Sequence, residues 1–198
     1  MTFAVSPHEV LECFGLTGVV YFPRYDSADN LLDQRTALFL SQVGLPDTRW
    51  FKSKASVGQG ESVSLPEWFR PEDGVLPEEC RSWLVLAYFT ASLLALDPKT
   101  GKVYAFGEGD PLESYTELHR NVESLVYSLH LFQRFLEHER GDDDELESRV
   151  DHLRSRIIEF DATPFNDDDS QWSLILEEVL DGIWQEACRR PSTGAYAI

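Results

Sequence analysis

The chain has 198 residues and carries 35 aspartates and glutamates against 17 lysines and arginines, a formal charge of −18 with a sequence pI near 4.5. A surface this acidic repels phosphate, which speaks against binding of DNA or RNA and against adhesion to anionic lipid, and it favours a basic partner. Hydrophobic residues make up 42 % and aromatic residues 12 % of the chain, enough to bury a core, so global disorder is not expected.

In chain order, Ser6-Pro7-His8-Glu9 spells a helix start: a capping hydroxyl, a proline in the first turn and a capping-box glutamate, with Gly15 as the stop. Val19 to Phe22 is a β-branched and aromatic run ended by Pro23, read as a strand. A second helix is expected from about Asn30 to Gln42. Gly44 suits the left-handed position after it, and Pro46 keeps it from resuming. Arg49 to Lys54 reads as a strand. Leu65 to Pro71 is aromatic and turn-rich, with Trp68 and Phe69 between two prolines. Trp83 to Phe89 is apolar throughout and is read as a central strand, followed by Leu93–Leu96 and Lys102–Phe106. Between the last two, Asp97-Pro98-Lys99-Thr100-Gly101 is too short for a parallel crossover and predicts an antiparallel hairpin.

From Asn121 the period becomes helical. Val122, Leu125, Val126, Leu129, Phe132 and Leu136 form one apolar stripe, and Leu146, Val150, Leu153, Ile157 and Phe160 form another. Gly141 to Glu145 reads as an acidic hinge between these two helices. Asp167-Asp168-Asp169-Ser170 precedes a last helix holding Trp172, Ile175, Leu176, Val179, Ile183 and Trp184. The expected fold class is α+β: a twisted, mainly antiparallel sheet packed by helices, with a helical C-terminal third. A single domain over 1–190 and a flexible tail over 191–198 complete the expectation.

Motifs for catalysis are sparse. Cys13, Cys80 and Cys188 are odd in number and far apart, which reads as thiols in a reducing compartment. With no basic residue before Arg24 and no long apolar run at the start, the expected location is the cytoplasm. His8, His119, His130, His138 and His152 make no metal-ligand spacing and are read as surface or helix-face residues. Counted as calcium loops, Asp142 and Asp167 lack the sixth-position glycine, and the former also lacks the twelfth-position glutamate. The acidic runs instead suit the N-termini of the helices that follow them. Gly107-Glu108-Gly109 lacks the rest of a phosphate loop, and no GxSxG elbow is present. No catalytic residue, metal or cofactor is expected. Trp68-Phe69 is open to two readings: exposed aromatics that anchor a partner, or a loop folded over the sheet.

Four segments carry a resemblance. Val43-Gly44-Leu45-Pro46 closes the helix before the sheet. The turn Leu96-Asp97-Pro98-Lys99-Thr100-Gly101-Lys102-Val103 follows later. Leu118-His119-Arg120-Asn121-Val122-Glu123-Ser124-Leu125 leads into the first long helix, and Trp172 to Trp184 spans the last one. In this order, over about Leu31 to Trp184, they resemble the fourth subgroup of the SUKH immunity-protein superfamily. Where that superfamily often has a glycine after the central strand, this chain has Ala87-Tyr88-Phe89.

The resemblance implies structural roles for Gly44, Leu45, Pro46, Asp97, Gly101, Asn121 and Ser124. It also implies a bacterial immunity protein that binds and neutralises a cognate toxin, often a nuclease or a nucleic-acid deaminase. Such toxins must attract polyanions and tend to be basic, which the charge of −18 complements. Candidate contacts are the acidic residues Asp142, Asp143, Asp144, Glu145, Asp167, Asp168 and Asp169, with Trp68 and Phe69 as anchors. A regulatory protein-binding scaffold of the same fold and a carboxylate-dependent hydrolase are the alternatives.

Overall fold

Residues 2–22, 32–54, 64–137 and 143–184 are described by a computed structural model. Helix α1 (Pro7–Phe14) starts as its sequence dictates: Ser6 Oγ accepts the Glu9 N–H, and the Glu9 carboxylate accepts from the Ser6 N–H. Strand β1 (Val19–Val20) follows. Helix α2 (Gln34–Gln42) is capped by Asp33, whose carboxylate accepts the Arg35 and Thr36 N–H groups, and it leads through Gly44 into β2 (Leu45–Pro46). β1 and β2 pair antiparallel. Gly44 has φ +78°, and a Cβ there would stand 2.7 Å from the Val20 carbonyl oxygen, so only glycine lets the two short strands close.

Strands β3 (Phe51–Ser53), β4 (Leu84–Phe89), β5 (Ser92–Leu96), β6 (Val103–Gly107) and β7 (Thr116–His119) form one sheet in that spatial order, every neighbour antiparallel. The β5–β6 turn works as its residues predict. Asp97 accepts the Lys99 N–H at 2.9 Å and the Thr100 hydroxyl at 2.6 Å, and Gly101 sits at φ +76°.

The two faces of the sheet have different covers. Toward the helices point Leu86, Phe89, Leu94, Leu96, Val103 and Ala105, packed against α1, α2, α4 (Val122–Glu137), α5 (Asp143–Phe160) and α6 (Gln171–Leu180). Toward the other side point Val85, Leu93, Ala95 and Phe106, under Leu65, Cys80, Trp83 and Leu112 from the short segments before β4 and before β7. Because both faces are covered, β4 and β5 read as apolar runs rather than alternating ones. The helix side is centred on rings. Trp50, Phe89, Phe132, Trp172 and Trp184 stack edge to face or tilted at centroid distances of 5.0–6.0 Å.

The expected α+β class with its antiparallel sheet and helical C-terminal part is therefore the observed one. Details differ. Leu65–Trp68 is one helical turn, α3, because Ser64 and Glu67 close a capping box around Pro66. Of the residues read as an acidic hinge, Asp143, Asp144 and Glu145 form the first turn of α5, while 141–142 lie outside the described residues. α6 ends at Leu180, not at Trp184. Ile183 is exposed, and Trp184 folds back onto Trp50 and Phe132. Gly44-Leu45-Pro46 does more than stop a helix, since Leu45 and Pro46 are themselves strand. The tail 191–198 lies outside the described residues.

Candidate functional site

His119 departs most from its sequence reading. It is not a surface residue: it ends β7 at 0 % exposure. Trp172 Nε1–H donates to its Nε2 at 2.9 Å, which places the neutral ring's proton on Nδ1. Nδ1 lies 3.0 Å from Ser124 Oγ, and that hydroxyl donates to Asp161 Oδ2 at 2.5 Å. Asp161 also accepts the Arg120 and Thr163 N–H groups at 3.0 and 3.1 Å. Burial would raise the Asp161 carboxyl, but these donors outweigh it and hold it well below the ordinary carboxylate range. Burial pushes the His119 imidazolium pKa down, against the opposing pull of Asp161.

Serine, histidine and aspartate in one chain invite comparison with a hydrolytic triad. There the carboxylate orients the imidazole, and the imidazole takes the serine proton. Here the serine proton faces the carboxylate, and the imidazole's second nitrogen is occupied by an indole N–H. The imidazole therefore has no free nitrogen to take the Ser124 proton, and Ser124 itself is fully buried. The constellation is a polar clamp joining β7, α4, the end of α5 and α6.

Some of the resemblance positions lie in or beside the clamp, whereas Gly44, Leu45 and Pro46 lie at the β1–β2 pair. Asn121 accepts the Ser124 N–H at 2.8 Å and so caps α4. Gly101 lies against the start of α2, where a Cβ would stand 3.4 Å from both Asp33 Oδ2 and Thr36 Oγ1. Gly101 and Asn121 both line a cleft of about 180 Å³ between the N-termini of α2 and α4. On its wall the buried Glu123 carboxylate accepts from Arg35 Nε at 3.0 Å and from the Ala4 N–H at 2.6 Å. Arg120 stacks over Phe160 at 4.7 Å. The cleft's charges are thus answered within the chain.

The candidate contact residues do not converge. Trp68 is 38 % exposed, with Lys54 Nζ over its ring at 5.5 Å. Phe69 is half-buried on Phe106 and so belongs to the cover of the sheet. Asp167, Asp168 and Asp169 are exposed ahead of α6. Glu145 is exposed in the first turn of α5, and Asp142 lies outside the described residues. The 18 residues of α5 span about 27 Å, so the two acidic runs flank opposite ends of that helix. A second cleft, of about 330 Å³, opens where α6 meets the β4–β5 turn. Asp110, Asp169 and Glu178 line it with Gln171, whose amide donates to the Phe89 carbonyl and to Thr90 Oγ1.

Cys13 and Cys80 are both free; burial pushes their thiols up to about 12 and about 11. Among the described residues no group of His, Cys, Asp and Glu is arranged to hold a metal ion, and no helix is long and apolar enough to cross a membrane.

Comparison with curated proteins finds no match, and neither does comparison with solved structures. The model of the SUKH-4 immunity protein family matches residues 5–178, from the start of the first helical segment to the last turns of α6. The match takes in every structural position that the resemblance singled out, and with it the chain belongs to the SUKH-4 immunity protein family.

Proposed function

We propose that this chain is a non-catalytic bacterial immunity protein that binds a basic toxin domain in the cytoplasm and occludes it. The toxin is a nuclease or a nucleic-acid deaminase. Family membership supports the immunity role, the resemblance implies the class of toxin, and the observation that carries a basic partner is the charge of −18. A nucleic-acid enzyme concentrates cations where the polyanion binds, and an acidic protein is attracted to that surface.

In this reading Asp142–Glu145 and Asp167–Asp169 steer the encounter from the two ends of α5, while Trp68 supplies a contact that slows dissociation. Charges at the rim act mainly on association and are screened by salt; buried anchors act mainly on dissociation. The test is stopped-flow binding to a catalytically inactivated cognate toxin domain, found by co-purification with the chain, at low and high salt. Replacing Asp142, Asp143 and Asp144 with asparagine slows association severalfold and flattens its salt dependence, with dissociation and stability nearly unchanged. Trp68→Ala speeds dissociation. Association that ignores ionic strength would overturn the steering reading.

A further inference from the structure

The outer face of the sheet, the one turned away from the long helices, carries a surface that the clamp and the acidic runs do not explain. The strand register fixes which residues lie side by side on it. Lys52, Tyr88, Leu93 and Phe106 form one row across β3 to β6; Val85, Ala95, Tyr104 and Glu117 form the next across β4 to β7. Tyr104 stacks on Trp83 at 4.2 Å, and Tyr115 meets both rings edge-on at 5.6 and 5.2 Å. Tyr88, Tyr104 and Tyr115 are each only half-buried. Two of their hydroxyls already hold carboxylates: Tyr88 donates to Glu108 at 2.8 Å, and Tyr115 to Glu79 at 3.0 Å. Trp68 and the 83 %-exposed Val75 lie in the segment that covers this face.

The charge of this face is one-sided. The covering segments 64–83 and 108–117 contain nine aspartates and glutamates against two arginines. The cations on and beside the strands are engaged: Lys102 pairs with Glu117 at 2.7 Å, Lys52 with Asp47 at 3.5 Å, and Lys54 sits over the Trp68 ring at 5.5 Å. A half-exposed aromatic ring with a carboxylate at its edge is a receptor for a guanidinium, which stacks on the ring and pairs with the carboxylate at once.

We infer that this outer sheet face, through Tyr88, Tyr104 and Tyr115 with Glu79 and Glu108, and with Trp68 as an apolar contact at its edge, is where the basic toxin docks, by receiving its arginine side chains. The inference rests on the toxin-binding reading above and adds the place and the chemistry. Rigid aromatic side chains give up little conformational freedom on binding, which makes such a face a source of slow dissociation. The acidic runs beside α5 then act at a distance, on approach only.

The test is hydroxyl-radical footprinting of the full chain, alone and mixed with the same inactivated toxin domain. Protection of Trp68, Tyr88, Tyr104 and Tyr115 is expected. Protection of Leu174 and Ile183 beside α6, with the tyrosines unchanged, overturns the location while leaving the toxin-binding reading intact. Absence of any complex overturns that reading and this inference with it, so the two failures are distinguishable. Glu108→Arg alters an exposed side chain and Tyr88→Ala a half-buried one on the rim of the core, and an unchanged denaturation midpoint verifies their fold. Each is expected to raise Kd by about tenfold or more, the range of an interface anchor. Glu177→Arg on α6 is expected to change it less than about threefold. The reverse ranking overturns the inference.

Discussion

Ser124→Ala tests the buried clamp directly. The substitution takes the acceptor from His119 Nδ1–H and one of several donors from the Asp161 carboxylate, at a site with no solvent access. An orphaned buried donor costs about 1–3 kcal/mol, and a hydrogen bond to a charged group contributes about 1.5–3 kcal/mol. Two features limit the sum. Asp161 keeps the Arg120 and Thr163 N–H groups, and Nδ1 stands only 3.7 Å from Asp161 Oδ2, so a shift of the ring by under about 1 Å restores a bond. The expected loss is therefore about 2–3 kcal/mol, a large share of the ~5–15 kcal/mol by which domains are stable.

Helix α4 supplies its own control. Ser128, one turn further along the same helix, is equally buried, and its hydroxyl has no hydrogen-bond partner. Ser128→Ala removes a buried polar atom without breaking a bond and is expected to be neutral or stabilising. Urea denaturation measures both, with an unchanged m-value showing that the denatured states are alike. If Ser124→Ala costs no more than Ser128→Ala, the clamp does not stabilise the fold and the argument fails.

His119 is held neutral with its pKa below the ordinary 6.5, so as the pH falls through 6.5 the unfolded chain takes up a proton that the native one refuses. Stability is expected to fall by up to about 1.4 kcal/mol per pH unit below that value, and a His119→Gln variant, measured by urea denaturation from pH 7 to 5, is expected to lose His119's share of this slope and keep that of His130, whose pKa burial also lowers. Asp161 adds a second decline below about pH 4, because its native pKa is depressed and the unfolded carboxylate protonates first. Gly44→Ala forces a left-handed alanine against the Val20 carbonyl and is expected to lower stability by about 2 kcal/mol, read as a shift in urea midpoint. Native Cys13 and Cys80 are expected to stay unalkylated by iodoacetamide at pH 8 over a time in which urea-unfolded protein is fully labelled, as mass spectrometry would show.

The elements that repeat a period were legible from the sequence, and so was the hairpin whose turn carries its own instructions. Val122 to Phe132 announces α4 through spacing alone, and Asp97 to Gly101 announces the β5–β6 reversal through dihedral preference and a side-chain acceptor. The β1–β2 pair was not legible, because two residues contain no period, and its only trace is the glycine that lets the strands approach. The clamp was invisible for a different reason: its members at 119, 124, 161 and 172 come from four elements, and the chemistry exists only once they meet. The nearest signal was the Asn121–Ser124 spacing, readable as a capping pattern, with a buried histidine just ahead of it. Of the tyrosines of the outer face, Tyr88 and Tyr104 stand on β4 and β6, two strands apart, and Tyr115 just ahead of β7, so only the folded sheet brings them to one face.

The bond from Trp172 to His119 spans 53 positions, and Gln171 reaches back across 82 to the Phe89 carbonyl. During synthesis at about 5–20 residues per second, His119 therefore waits about 3–10 s for its indole partner, with part of the sheet's inner face still open to water. A nascent chain cut short before α6 has no way to finish that face, and unfinished sheets are prone to self-association. Nonsense truncations anywhere upstream of Trp172 thus produce aggregates rather than weakened binders. Because the clamp closes only when Trp172 arrives, the packing of β7, α4, α5 and α6 is completed in a single step.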